Sequence, residues 1–125
     1  MSGGLRHRRL WLAVWIAGML LGVYLSLRPV PAATPVLPHL DKLVHAGGYA
    51  ALAAFAACLY AGPARLRALA GVWLLGAAIE LAQGLLPTGR MMEAADLLAN
   101  SLGIGLGALL CRRWNPLSAF ERSVG

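Results

Sequence analysis

The stretch that decides the fold is LWLAVWIAGMLLGVYLSL, residues 10–27. It carries no ionisable side chain except Tyr24, and roughly 20 mostly apolar residues in a helix cross about 30 Å of hydrocarbon. Three further apolar stretches follow, at 41–61, 66–86 and 94–111. Segments rich in proline, glycine or arginine separate them and do not continue a helix interior. The sequence therefore predicts an all-α fold, a single polytopic membrane bundle of four transmembrane helices.

The composition excludes other classes of protein. Of the 125 residues, 59% are hydrophobic and only 13% are charged, whereas soluble domains are about half apolar and a quarter charged. Disordered chains lack this apolar content, and two cysteines cannot build a disulfide-rich module. The formal charge of +6 comes from short basic clusters between apolar stretches. A nucleic-acid interface would need a basic patch on one folded face, so we expect no nucleic-acid partner and a lipid bilayer instead.

The basic residues also predict the orientation. With the N-terminus inside, the cytoplasmic side carries eight of them: Arg6, Arg8, Arg9, Arg65, Arg67, Arg112, Arg113 and Arg122. The opposite side carries three: Arg28, Lys42 and Arg90. Cytoplasmic loops are rich in Lys and Arg, so both termini are expected in the cytoplasm, where Cys58 and Cys111 would stay free thiols. The first apolar stretch exceeds a signal-peptide core, which favours an uncleaved anchor over a signal cleaved within residues 1–32.

Polar residues inside the spans indicate a site, because ionisable side chains are costly in a membrane. The predicted topology puts three polar clusters in the extracytoplasmic half, with Glu80 and Asn100 at similar depth. The residues expected to line this outward-facing pocket are Asp41, Lys42, His45, Tyr49, Glu80, Gln83, Arg90, Asp96 and Asn100. The structural alternative is that Asp41 and Asp96 cap helices and that His45, Gln83 and Asn100 form interhelical hydrogen bonds. Glu80 is the residue that no cap explains.

These polar residues carry a family resemblance. DKLVHAGGY (41–49) is similar to the D-K-x-x-H-x-x-x-Y opening of VanZ-like membrane proteins. ELAQ (80–83), followed by Pro87 and Arg90, resembles that family's E-x-x-Q…P-x-R element. DLLANSLG (96–103), continuing to Gly107, resembles its D-x-x-A-N-x-x-G-x-x-x-G signature. One departure is an extra residue in the turn before Arg90. The resemblance implies a small bacterial inner-membrane protein, in a family whose namesake is linked to resistance to the glycopeptide antibiotic teicoplanin.

Three classes of function compete for this pocket. A binding protein would recognise a lipid headgroup or an envelope precursor, with Lys42 and Arg90 meeting its anionic groups. A membrane-embedded enzyme would use Glu80, Asp96 and His45 as acid, base or metal ligands. A proton-coupled transporter would need a homo-oligomer to form a path. One histidine is a thin basis for zinc, so no metal and no other cofactor is assigned, and the binding protein is preferred to the enzyme.

Small residues predict how the spans pack. Gly18 and Gly22 in the first span, and Gly103 and Gly107 in the fourth, have the i, i+4 spacing that lets two helices approach closely.

Overall fold

The fold is helical. The computed structural model describes residues 4–28, 40–86 and 94–125, with the backbone alone at 40 and 41. Its helices are α1 (Arg8–Leu27), α2 (Leu40–Leu59), α3 (Gly62–Leu85), α4 (Ala94–Leu110) and α5 (Pro116–Val124). Across the described residues every regular element is a helix, which confirms the all-α prediction. Helices α1, α2 and α3 are long and apolar enough to cross a membrane, while α4 is a shorter apolar helix of 17 residues.

The distribution of side-chain size suits a membrane protein. Small residues occupy part of the interior, with Ala53, Ala56 and Ala57 almost fully buried beside larger ones such as Leu59 and Val72. The outer faces carry large ones, and Leu43 and Leu74 are 68% and 61% exposed. A soluble domain would bury such leucines, since their burial drives folding in water. In lipid that drive is absent and small residues let the helices approach, so this arrangement is expected of a bundle surrounded by hydrocarbon.

Helices α2 and α4 form the most extensive contact in the bundle. A Cβ atom added at Gly103 would overlap the Ala46 carbonyl oxygen, and one added at Gly107 would overlap that of Ala50. The absence of side chains at these two glycines therefore allows α4 to lie directly on the α2 backbone, as the spacing predicted. Gly18 and Gly22 behave differently, because added Cβ atoms there would meet one ordinary contact and open space respectively.

The turn between α2 and α3 is tighter than predicted. Gly62 has a φ of 59°, a left-handed conformation that glycine adopts at low cost, and it opens α3 directly. Pro63 follows in the first turn, where the missing N–H would have had no intrahelical partner. The helix thus begins at Gly62, four residues before the predicted start at 66. The prediction treated Pro63 as part of the turn, but a proline also fits the first turn of a helix.

The C-terminal segment contains a helix that the hydropathy pattern did not predict. Asn115 caps α5 by accepting a hydrogen bond from the Ser118 N–H at 3.0 Å, and Pro116 occupies its first turn. Leu117 and Glu121 are buried, so this segment packs against the bundle and does not simply lie at the surface.

Glu121 joins α5 to the beginning of α1. Its carboxylate accepts hydrogen bonds from the backbone N–H groups of Arg6 (2.7 Å) and His7 (3.0 Å) and from Trp11 Nε1 (2.8 Å). Burial acts to raise the pKa of this carboxyl, but the hydrogen bonds outweigh it and lower the pKa below the ordinary value of 4.5. The described residues nearest the two termini therefore lie at the same end of the bundle.

Candidate functional site

Three helices bring acidic and imidazole side chains together inside the bundle. His45 comes from α2, Glu80 from α3 and Asp96 from α4. One nitrogen or oxygen atom of each lies within 4.8 Å of the others. Glu80 and Asp96 are only 4% and 5% exposed, and buried charges in proteins are normally paired or bound to metals. We call these three residues the triad.

Lys42 supplies a positive charge beside the triad. Its Nζ atom lies 2.6 Å from Asp96 Oδ1, and its side chain is 30% exposed against 7% for that of Asp96. The long stem of a lysine allows the ammonium to reach a polar boundary from a buried position. Asp96 itself lies in the first turn of α4, where unsatisfied backbone N–H groups favour a carboxylate. Asp96 thus places its charge at the positive end of α4 and forms an ion pair with α2; a capping hydrogen bond stays a prediction.

Asn100 orients the imidazole. Its Oδ1 atom lies 3.2 Å from His45 Nδ1, and Asn100 is almost completely buried. When Nδ1 carries the proton it donates this hydrogen bond, and Nε2 is then the nitrogen with the lone pair. Gly76 of α3 faces the same group, since a Cβ atom there would lie 3.2 Å from Asn100 Nδ2 and 3.0 Å from the Tyr49 ring. Gly76 was missed from the sequence, where only an interior helix glycine marks it.

The register between α3 and α4 differs from the expected one by a helical turn. We expected Glu80 level with Asn100, but the Asp96 carboxylate lies beside Glu80 and Asn100 lies beside Gly76. The expectation counted residues from each helix end, and such counting assumes that the connection is symmetric. The observed register brings an oxygen atom of each carboxylate within 4.8 Å of the other.

The remaining predicted residues divide into three groups. Gln83 is buried, and its Nε2 donates to the Ser26 carbonyl oxygen of α1 at 2.8 Å. It therefore forms the interhelical hydrogen bond that was the structural alternative. Tyr49 lies beside Gly76, where it faces the same group as Asn100 does. Arg90 and the side chain of Asp41 lie outside the described residues.

A cavity of about 630 Å³ lies between α1, α2 and α3. Its walls are mainly apolar, and polar side chains gather towards the end that holds Ser26, Arg28, His45 and Tyr49. The lining residues are Val14, Trp15, Gly18, Met19, Gly22, Leu25, Ser26, Arg28, Val44, His45, Gly48, Tyr49, Ala51, Leu52, Phe55, Leu75 and Ile79. None of these is acidic. Gly18 and Gly22 contribute the space that their missing side chains leave, and the part taken by α1 was not anticipated from the sequence.

Comparison with family models, with curated proteins and with solved structures finds no match for this chain. The resemblance to VanZ-like proteins therefore stays a prediction from the three sequence motifs.

Proposed function

We propose that this chain is a VanZ-like protein of the bacterial inner membrane that binds a lipid-linked anionic ligand of the cell envelope. One observation carries the proposal, namely that the apolar cavity and the polar site share His45 and Tyr49. An amphipathic molecule can therefore place its chain in the cavity and its polar group at the end of the cavity that holds Arg28 and His45.

The dimensions of the cavity suit a hydrocarbon chain. Its α1 wall runs from Val14 to Arg28, which is about 21 Å at 1.5 Å per residue. A volume of about 630 Å³ falls within the range of roughly 300–1,000 Å³ that ligand sites occupy. An acyl or isoprenoid tail would contact Leu25, Leu52 and Leu75 along this length.

The charge of the polar end favours an anionic group. Arg28 lies at the end of α1 and His45 on the first turns of α2. Guanidinium groups bind phosphate and carboxylate through paired hydrogen bonds, and the described lining contains no carboxylate to repel such a group. A lipid-linked phosphate is the ligand class that satisfies both ends of the cavity.

The proposal includes a topology of four spans with both termini in the cytoplasm. The basic clusters support it through the positive-inside rule, as does the hydrogen bonding of Glu121 to the beginning of α1. Reporter fusions after Gly62, Gly89 and Gly125 test it. We expect external signal from the Gly89 fusion alone, and external signal from either of the other two would overturn the orientation.

Binding is tested by filling the cavity. A leucine at Gly22, which lines the cavity and has open space around it, should block the tail. Gly71→Leu is the matched control, because Gly71 is exposed, has open space and does not line the cavity. The probe is a labelled polyprenyl phosphate presented to purified protein in nanodiscs. We expect saturable retention by the wild type and by Gly71→Leu, and at least a tenfold loss in Gly22→Leu.

Two results would contradict the binding proposal. One is equal retention by Gly22→Leu and Gly71→Leu, and the other is full competition by ordinary phospholipid, which would make the cavity a site for bulk lipid.

The convergence of His45, Glu80 and Asp96 favours a second candidate, a membrane-embedded enzyme acting on the same ligand. Conversion of a lipid-linked precursor to product during the incubation would support that enzyme over the binding protein.

A further inference from the structure

The geometry points to a binding site for a divalent transition-metal cation formed by His45, Glu80 and Asp96. This inference goes beyond ligand binding in the cavity and does not depend on it. An imidazole nitrogen and two carboxylates form a donor set that suits Zn²⁺ or Mn²⁺. The sequence alone did not justify a metal, because one histidine is a thin basis for zinc.

The distances are compatible with coordination. Zinc binds nitrogen and oxygen ligands at about 2.0–2.2 Å, so two ligands of a tetrahedral site lie about 3.4 Å apart. The three candidate atoms already lie within 4.8 Å of one another. Rotation about the side-chain bonds of Glu80 and Asp96 can close this difference. Three protein ligands leave a fourth position for water or for an anionic ligand.

The residues around the triad resemble the support that metal ligands receive. A ligating histidine usually gives its other ring nitrogen to a fixed oxygen, which sets its tautomer. Asn100 Oδ1 is such an oxygen, 3.2 Å from His45 Nδ1, and Asn100 is held in the interior at 1% exposure. This contact is independent of the two carboxylates. When Nδ1 donates its proton to Asn100, the imidazole presents the lone pair of Nε2 to a metal ion.

The charges of the described residues also favour a cation. Glu80 and Asp96 bring two negative charges into the interior, and Lys42 brings one positive charge to Asp96. With neutral histidine, the triad and Lys42 together have a formal charge of −1. A divalent ion bound by both carboxylates would compete with the ammonium for Asp96 Oδ1. Lys42, being 30% exposed, can withdraw towards the membrane surface when the ion enters.

The test measures metal binding directly. Purified protein in nanodiscs is stripped with chelator and dialysed against Zn²⁺, Mn²⁺ or Mg²⁺, and the bound metal is counted per chain. We expect one Zn²⁺ or Mn²⁺ per wild-type chain, and a loss of affinity of at least tenfold in His45→Gln, Glu80→Gln and Asp96→Asn. Glu121→Gln is the matched control, because it removes the charge of another buried carboxylate at the Arg6–His7 end of the bundle, and it should bind as the wild type does.

Lys42→Met keeps the test decisive if the triad variants fold poorly. Removing the competing ammonium should raise the affinity for the cation by about tenfold, and a misfolded protein would not show such a gain. Absence of stoichiometric Zn²⁺ and Mn²⁺ binding by both the wild type and Lys42→Met would overturn the inference. Undiminished binding by Glu80→Gln and Asp96→Asn would overturn it as well, since the metal would then lie elsewhere. Neither result bears on the retention of polyprenyl phosphate, so the two proposals fail separately.

Discussion

Replacing Gly103 by alanine should separate α2 from α4. The new Cβ atom would lie 2.9 Å from the Ala46 carbonyl carbon and 3.0 Å from its Cα atom, and would overlap the carbonyl oxygen. These are backbone atoms, so no side chain can rotate away and the helix itself must move back by about 1 Å. A gap of that size removes a quarter to a half of the van der Waals attraction in each affected contact. Overpacking of this kind costs about 1–3 kcal/mol.

A neighbouring glycine supplies the control for this change. Gly105 lies two residues further along α4, is exposed and has nothing within 4 Å of an added Cβ atom. Alanine there gains roughly 0.5–1 kcal/mol of helix stability. Both variants share that gain, so the difference between them isolates the clash. We expect Gly103→Ala to be less stable than Gly105→Ala by about 2 kcal/mol.

The assay is reversible unfolding in mixed micelles, followed by circular dichroism as the denaturing detergent increases. The clash also lies next to the site, because Ala46 follows His45 and Gly103 is one turn from Asn100. Gly103→Ala should therefore lengthen the 3.2 Å contact between these two residues and weaken metal binding, while Gly105→Ala should not. Unfolding free energies of the two variants within about 0.5 kcal/mol of each other would refute the close packing of α4 on α2.

Three other predictions concern contacts outside the triad. The lowered pKa of Glu121 means that its carboxylate stabilises the fold above about pH 4.5 and that this stability is lost as pH falls through the lower folded value. Melting temperatures should thus drop more steeply from about pH 5 to about pH 3 in the wild type than in Glu121→Gln, and parallel curves would exclude the effect. Gln83→Met should cost about 0.6 kcal/mol in detergent unfolding by removing the 2.8 Å bond to Ser26, and an unchanged value would show that bond to be energetically silent. Asn115→Ala should cost about 1 kcal/mol and expose α5 to protease, because Asn115 caps α5 and donates to the Cys58 carbonyl at 3.1 Å; unaltered digestion would contradict this.

Apolar stretches were sufficient to predict the long helices. The predicted spans at 10–27 and 94–111 match α1 (Arg8–Leu27) and α4 (Ala94–Leu110) within two residues, because a long hydrocarbon-compatible stretch has few alternatives to a helix. Helix α5 was missed, since it has only nine residues and these include two serines, Glu121 and Arg122. Its signals were local, an Asn-Pro pair at 115–116 and an amphipathic pattern, and a search for long apolar stretches does not detect either.

The site was predicted in content more than in arrangement. His45, Glu80 and Asp96 were identified because charge inside a span needs a reason, and the structure does bring them together. Their register was off by one turn, because it depends on how the 86–93 connection is built. The cavity could not be predicted, because part of its space is left by the missing side chains of the glycines at positions 18, 22 and 48.

The carboxylate of Glu121 has a consequence for biogenesis. A ribosome completes α1 well before it adds Glu121, which lies more than 100 residues after Arg6 and His7, so the N–H groups of these two residues must bond to water or to lipid headgroups while the rest of the chain is made. The beginning of α1 therefore stays hydrated during synthesis and acquires its protein partner only once α5 has been made. A ribosome stalled before residue 121 would hold a nascent chain whose first turn is open to solvent exchange, and the packing of α5 against that turn would close it.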